Sequence, residues 1–301
     1  WFIANKSEMN LKEKIEKAGK PLKDWDVKIY RGVVTGYNTA FIIDEAKRKE
    51  LIAKDPKSEE IIKPVFRGRD IKRYSYVFAG KFIIIAKFGS HKYLHEIYPA
   101  IYNHLKEHEY KLKNRGQCKY TRANRDNESS DFPGQHHWLE LDNNPKEQFL
   151  NQFTKYKIVW PRLMRIHKSK KVTFPRFSLL KPHEYVLDSL CFITGNKLKY
   201  ILAILNSKYG EKFFRENIAI LDKGGMQMRQ QYVENILIPP ITSENKPLVK
   251  TIEHLVENIL LKKKEKISSD TSKLEKEIDQ IIYILYDLNE EEIKIIEGKT
   301  K

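Results

Sequence analysis

The chain is poor in cysteine, has no long apolar run and carries none of the common glycine-rich signatures. Its two cysteines, Cys118 and Cys191, cannot build a disulfide scaffold, and neither has a C-x-x-C neighbour that would start a zinc site. The longest apolar runs, residues 82–86 and 281–286, fall far short of the ~20 residues of a membrane-spanning helix. No signal-peptide pattern occurs at the start. Neither G-x-G-x-x-G nor a P-loop is present, so no nucleotide-cofactor site is expected. The Pro239-Pro240 pair has no Asn or Asp before it and no aromatic after it, so the loop that holds a flipped base in DNA methyltransferases is missing.

What is present is an ordinary core and an excess of positive charge. A hydrophobic content of 41% with 11% aromatics excludes a wholly disordered chain, and 301 residues suit one large domain or two ordinary ones. The chain begins with Trp1 rather than Met, so a piece of a longer, cytoplasmic protein is expected. Lysine and arginine number 56 against 40 carboxylates, a formal charge of +16. Residues 244–301 carry a net −2, so residues 1–243 carry +18. Within that body, nine basic residues between Lys155 and Lys181 meet no carboxylate, and neither do six between Tyr110 and Arg125. Such runs repel themselves unless a polyanion neutralises them, and a phosphate backbone is the commonest one.

The hydrophobic periodicity predicts a mixed α+β body followed by a helical hairpin. Helices are expected over 7–18 (capped by Ser7 and stopped at Gly19), 44–54, 91–113 with an interruption at Pro99, and 198–205. Strands are expected over 40–43, 82–86, 157–160, 172–174, 185–186 and 191–194, with Val27 and Ile29 in another. Residues 114–145 are polar and turn-rich and predict a long loop. In the tail, Leu248, Ile252, Leu255 and Ile259 recur at 4-3-4 spacing. A second helix carries Leu274, Ile278, Ile281 and Leu285 behind a Ser272/Glu275 capping box, and a third, over 290–297, is capped by Asn289. The predicted division is an α+β body over 1–243, its first 25 residues a leading linker or helix, and a helical tail over 244–301.

Three isolated motifs have bland explanations. Glu45-Ala46-Lys47, with Asp26 and Asp44 upstream, resembles a nuclease E-x-K, but three-residue matches are frequent in a chain this charged. His91/His95 and His104/His108 each have an i,i+4 metal spacing, yet Pro99 lies between the pairs and no third ligand is in view. No catalytic residue and no metal site is expected.

Five stretches in order carry a resemblance. They are Tyr30-Arg31-Gly32-Val33-Val34-Thr35-Gly36-Tyr37-Asn38-Thr39-Ala40-Phe41-Ile42-Ile43, Ile62-Lys63-Pro64-Val65-Phe66-Arg67-Gly68-Arg69-Asp70-Ile71-Lys72-Arg73-Tyr74, Tyr98-Pro99-Ala100-Ile101-Tyr102, Leu202-Ala203-Ile204-Leu205-Asn206-Ser207-Lys208 and residues 278–293. Together they resemble the TaqI-like C-terminal specificity domain of adenine-N6 DNA methyltransferases and type IIG restriction-modification enzymes. Residues 205–240 also resemble type I specificity subunits. The resemblance implies a target recognition domain that binds double-stranded DNA in a prokaryotic restriction-modification system. It implies an upstream methyltransferase domain, and in type IIG enzymes a nuclease, in the parent chain. The parent would use S-adenosylmethionine, and Mg²⁺ where a nuclease is fused; neither is expected on this chain. The alternative is an assembly module whose tail helices pair with a separate catalytic subunit.

Within that frame the residue types assign the contacts. Forked or bidentate groups read bases, with Arg for guanine and Asn or Gln for adenine. The candidates are Arg162, Arg165, Gln227, Arg229 and Gln230, with Asn124 and Gln135 in the long loop. Phosphate contacts are expected from Lys155, Lys157, Lys168, Lys170 and Lys171, and from Arg115, Lys119, Arg122 and Arg125. Gly36 and Asn38 are expected to shape a turn, and Asp70 to pair with Arg69 or Arg73 and fix a loop.

Overall fold

Five consecutive residues, Lys157 to Pro161, are all buried, and the rest of the molecule is arranged around them. A strand buried on both faces needs a core on each side, and alternation distributes its side chains between the two. In the computed structural model, which describes residues 6–119, 132–165, 174–221 and 224–299, Ile158 and Trp160 face one core and Val159 the other.

The chain opens with helix α1 (Lys6–Ala18), strands β1 (Lys20–Pro21) and β2 (Val27–Arg31), helix α2 (Asn38–Phe41), β3 (Ile42–Asp44) and α3 (Glu45–Lys54). Strands β4 (Ile62–Phe66), β5 (Ile71–Lys72), β6 (Ser75–Tyr76) and β7 (Lys81–Ile84) follow. Next come α4 (Leu94–Ile97), α5 (Pro99–Lys106), α6 (Glu109–Lys113), α7 (Gly116–Lys119) and α8 (Glu147–Leu150). Strands β8 (Lys157–Pro161), β9 (Leu163–Arg165), β10 (Ser178–Leu180), β11 (Tyr185–Val186) and β12 (Leu190–Gly195) lead into α9 (Leu198–Asn206) and α10 (Lys208–Asn217). Then β13 (Gly225–Gln227), α11 (Gln230–Val233) and β14 (Leu237–Ile238) precede the tail helices α12 (Lys246–Glu265), α13 (Ser272–Leu285) and α14 (Glu290–Ile296).

The central sheet has the order β10-β8-β12-β2 and is antiparallel throughout. The register aligns Tyr30, Phe192, Val159 and Ser178 across it, and the Tyr30 and Phe192 rings stack at 5.3 Å. Behind that face lies a second sheet, β11-β4-β7-β3, in which β11 runs parallel to β4 and the other pairs are antiparallel. Leu51 of α3 and Ile101 and Leu105 of α5 complete its core. The opposite face of the central sheet is covered by α9 and by the tail: Ile252, Val256 and Ile259 of α12 and Ile278 and Ile282 of α13 share one core with Tyr200 and Leu202. The chain is thus α+β, with mixed sheets and C-terminal helices.

Polar contacts fix the tail where apolar packing alone would let it slide. Arg73 donates to Glu275 at 2.6 Å, the Lys208 backbone N–H donates to Asp279 at 2.8 Å, and the Tyr286 hydroxyl donates to the Leu237 carbonyl at 2.6 Å. The 4-3-4 spacing of α12 is therefore buried inside this chain. Among the described residues no helix is long and apolar enough to cross a membrane.

Several elements depart from the sequence expectation. Ala40 and Phe41 close α2 rather than opening a strand, and β3 starts at Ile42, because the Ala40 carbonyl pairs with the His104 ring at 2.9 Å instead of with a neighbouring strand. The helix expected over 91–113 is interrupted at Pro99, as expected of a residue with no N–H to continue α4, but it breaks a second time between Lys106 and Glu109, where α5 ends and α6 begins. Thr271, not Ser272, caps α13, and Glu275 bonds both its hydroxyl and Arg73. Helix α10, absent from the sequence expectation, is capped by Ser207 through the Gly210 N–H. Asn289 caps α14 in a reciprocal box with Glu292. Most of the strand expected over 172–174 lies outside the described residues.

Truncating Ile252 to Ala should lower the unfolding free energy by about 2–5 kcal/mol, as for other buried large-to-small changes. Urea unfolding followed by tryptophan fluorescence should show one transition moved to lower urea, because Ile252 and Trp160 lie in the same core. An unmoved tryptophan transition would mean that the tail unfolds on its own.

Candidate nucleic-acid interface

Because both faces of the central sheet are covered, side chains reach solvent at the strand ends and beyond. After Pro161 the chain leaves the sheet and forms β9, which pairs with β13 as an antiparallel ribbon: Leu163 opposite Gln227, Met164 opposite Met226, Arg165 opposite Gly225. Burial alternates along it. Met164, Met226 and Met228 are fully buried, whereas Leu163, Arg165 and Arg229 are exposed and Gln227 is half-buried. The three methionines anchor the ribbon, and the Trp160 indole N–H donates to the Met228 carbonyl at 2.8 Å. The outer face is thereby held against a rigid support.

Arginines gather beside this ribbon. Arg31, at the end of β2, donates to the Asp188 carboxylate at 2.7 Å, and Arg162 donates to the Asp188 backbone carbonyl at 3.1 Å. The Asp188 carboxylate thus pairs with Arg31, while Arg162 holds only the backbone carbonyl of the same residue. The side chains of Arg165 and Arg229 have no hydrogen-bond or ion-pair partner among the described residues. Arg69 is exposed, and Gly68, just before it, donates its N–H to Ser189, next to Asp188. Gln230 is less available than its residue type implied, since its amide donates to the Ile29 carbonyl at 2.9 Å.

Of the expected base readers, Arg162, Arg165, Gln227, Arg229 and Gln230 therefore meet at one end of the central sheet. Gln135 lies apart, on the wall of a cavity of about 660 Å³ that also touches Arg31, Asp142, Asn144, Lys146 and Phe149. Asn124, Arg122, Arg125, Lys168, Lys170 and Lys171 lie outside the described residues. Lys155 and Lys119 are exposed, Lys155 at the end of β8 opposite the ribbon. Arg31 was not among the expected contacts, and no local signal marked it: alternation gives it the face of Val27 and Ile29, yet it is exposed at the end of β2.

Two expected phosphate contacts are corrected. Lys157 is fully buried, donates to the Lys181 carbonyl at 2.7 Å and lies 5.8 Å from the Phe153 ring centre. Burial pushes its ammonium down to about 8. Arg115 is also buried and donates to the carbonyls of Leu112, Thr35, Trp138 and Glu140 and to the Asp142 carboxylate. Neither cation can reach a phosphate. The loop pairing is corrected too: Arg67 holds Asp70 at 3.1 Å, Arg73 holds Glu275, and Arg69 pairs with neither.

Arg115 belongs to a polar knot that shapes the cavity wall. Asp142 accepts from Arg115 at 2.9 Å and from His136 at 3.0 Å, while Cys118 lies 3.7 Å from the other His136 ring nitrogen. Gly36 sits on this carboxylate with φ +68°, and an added Cβ would fall 2.4 Å from it. Asn38 accepts from the Thr35 hydroxyl in the same turn. Burial alone would lower the His136 imidazole; bonds to Asp142, Cys118 and the His137 carbonyl offset that and hold it at about 9. The weak motifs also have structural roles. Asp44 caps α3 through the Lys47 N–H, Lys47 pairs with Glu50 and His91 pairs with Glu140. No group of three potential metal ligands occurs among the described residues.

No family model and no curated protein matches the sequence. Solved structures do match the fold. Over 93% of its length the chain superposes on 35% of MmeI, a type IIL restriction-modification enzyme whose structure is of a complex with DNA, with TM-score 0.62 and 12% identity. Over 94% of its length it aligns with 33% of BpuSI, a type IIG restriction endonuclease, with TM-score 0.46 and 14% identity. The chain spans about a third of the length of each enzyme. Its fold is therefore one found within a type II restriction-modification enzyme.

The His136 linkage has a definite sign. A histidine raised to about 9 in the fold stabilises it fully below its ordinary value near 6.5 and loses that contribution as pH rises through 9. Urea midpoints measured from pH 6 to 9.5 should show the wild type losing its advantage over His136→Gln across that window. A difference that is constant with pH would mean that His136 is not held as an imidazolium.

Proposed function

We propose that this chain is the DNA target recognition region of a restriction-modification enzyme, binding duplex DNA at the end of the central sheet that carries the β9–β13 ribbon. The observation that carries this reading is that Arg31, Arg162, Arg165 and Arg229 all lie at that end, where among the described residues the one carboxylate paired with any of them is Asp188, with Arg31. Phosphates favour such a surface and forked side chains can read base edges. The fold shared with part of MmeI, an enzyme whose structure is of a complex with DNA, supports the same reading.

In this proposal the site read contains adenine, the parent is a prokaryotic cytoplasmic adenine-N6 methyltransferase, and catalysis belongs to other segments of it. S-adenosylmethionine, and Mg²⁺ for a fused nuclease, would be held there. This chain then supplies the choice of sequence and orientation on the duplex. The recognition unit would comprise residues 1–243, with 244–301 as the helical tail that supports it. The reading with the tail as a docking module gains no support from α12 and α13, whose apolar faces are buried against α9 and each other.

Selection from a random pool of short duplexes, repeated over a salt series, tests the proposal. The chain should enrich one short adenine-containing site, with affinity falling steeply in salt. Arg165→Ala or Arg229→Ala should cost about 1–3 kcal/mol on that site and relax the choice at one position. Arg31→Ala should weaken all sequences alike, and Lys157→Met should leave DNA affinity unchanged. Equal losses from Arg165→Ala on selected and random duplexes would contradict a base-reading ribbon, and no binding to any pool would contradict the DNA reading itself.

A further inference from the structure

The outer face of the β9–β13 ribbon holds two leucines that no core explains. Leu163 is 46% exposed and Leu221 is 41% exposed, and neither belongs to either buried core. Gly225 lies between them: a Cβ there would sit 3.0 Å from Leu163 Cδ1 and 3.9 Å from Leu221 Cδ1. The two side chains therefore cover the buried Gly225 backbone and form a small apolar surface above it. Antiparallel pairing puts Leu163 and Gln227 on the same face, with Arg165 one step along it and Arg229 beyond. No carboxylate pairs with either arginine among the described residues.

Two exposed leucines are too small a patch for a stable protein interface, which needs several hundred Å² on each side. Flanking arginines with no carboxylate partner among the described residues favour a polyanion. Duplex DNA combines that charge with one apolar group accessible at a base edge, the 5-methyl of thymine in the major groove. A two-stranded ribbon fits that groove, about 12 Å wide, and does not fit the minor groove, about 6 Å wide. Building on the DNA-binding reading above, we propose that this ribbon enters the major groove and that Leu163 and Leu221 cover thymine methyl groups. Arg165, Arg229 and Gln227 then meet neighbouring purines. The ribbon thereby distinguishes thymine from cytosine, whose edge carries no methyl group.

The test uses the whole 301-residue chain and the duplex it selects from a random pool. Each thymine of that duplex is replaced in turn by uracil, which removes only the methyl group. At least one replacement should weaken binding about fourfold, the effect of one buried methyl-sized group. That replacement should have no effect on the Leu163→Ala/Leu221→Ala double variant. Both leucines are exposed, so the variant should keep the wild-type urea midpoint. Equal binding of every uracil duplex, a selected site without thymine, or a loss that persists in the double variant would overturn the proposal. Failure to retain any duplex would overturn instead the DNA reading on which it rests.

Discussion

Everything distinctive about this molecule depends on the burial of one sheet from both sides. Strand β8 has no solvent face, and the sheet it centres separates a core built with α3 and α5 from one built with α9 and the tail helices. A sheet so covered cannot display a binding surface in its middle. Contacts must come from its ends, and each end is shaped by the segment into which its strand continues. After β8 the chain turns out into β9, and Trp160, the last large side chain before the exit, clamps the partner strand through the Met228 carbonyl. The rigid core thereby extends into the ribbon, as a precisely aimed recognition element requires.

The electrostatics obey the same division. A body charge of +18 counts every cation, yet those nearest the core are occupied by structure. Arg115 ties together four carbonyls and Asp142, and Lys157 answers a single carbonyl inside the β8 face. Arg73 and Arg67 are paired with Glu275 and Asp70. At the ribbon end Arg31 alone is paired with the Asp188 carboxylate, and Arg162 holds only the Asp188 carbonyl and so keeps its charge unneutralised by it. Exposed pairs of this kind contribute little stability, so they can rearrange around a phosphate at small cost.

The parts of the fold legible in the sequence were those with local signals. A helix over 44–54, Asn289 before α14 and the 4-3-4 spacing of α12 are statements about a few turns or one face, and the structure has each of them, with Asp44 as the cap of α3. Less legible was anything decided by a distant partner. Ala40 and Phe41 look like strand residues until His104 takes the Ala40 carbonyl, and Ser272 looks like a cap until Thr271 takes that role beside a Glu275 held by Arg73. The candidate interface divided along the same line. Runs of basic residues pointed to the right segments, but a run contains inward and outward positions, and Lys157 and Arg115 fell inward. Arg31, Leu163 and Leu221 gave no such pointer, because an isolated arginine or leucine carries no local signal of exposure.

The most direct test of the account is amide hydrogen exchange of the chain with and without its selected duplex. Binding at the ribbon end predicts slowed exchange confined to residues 162–165 and 225–230 and the neighbouring 31–33, with α12 unchanged. Slowing concentrated in the tail helices, or at the β8 end that carries Lys155, with the ribbon unaffected, would contradict it.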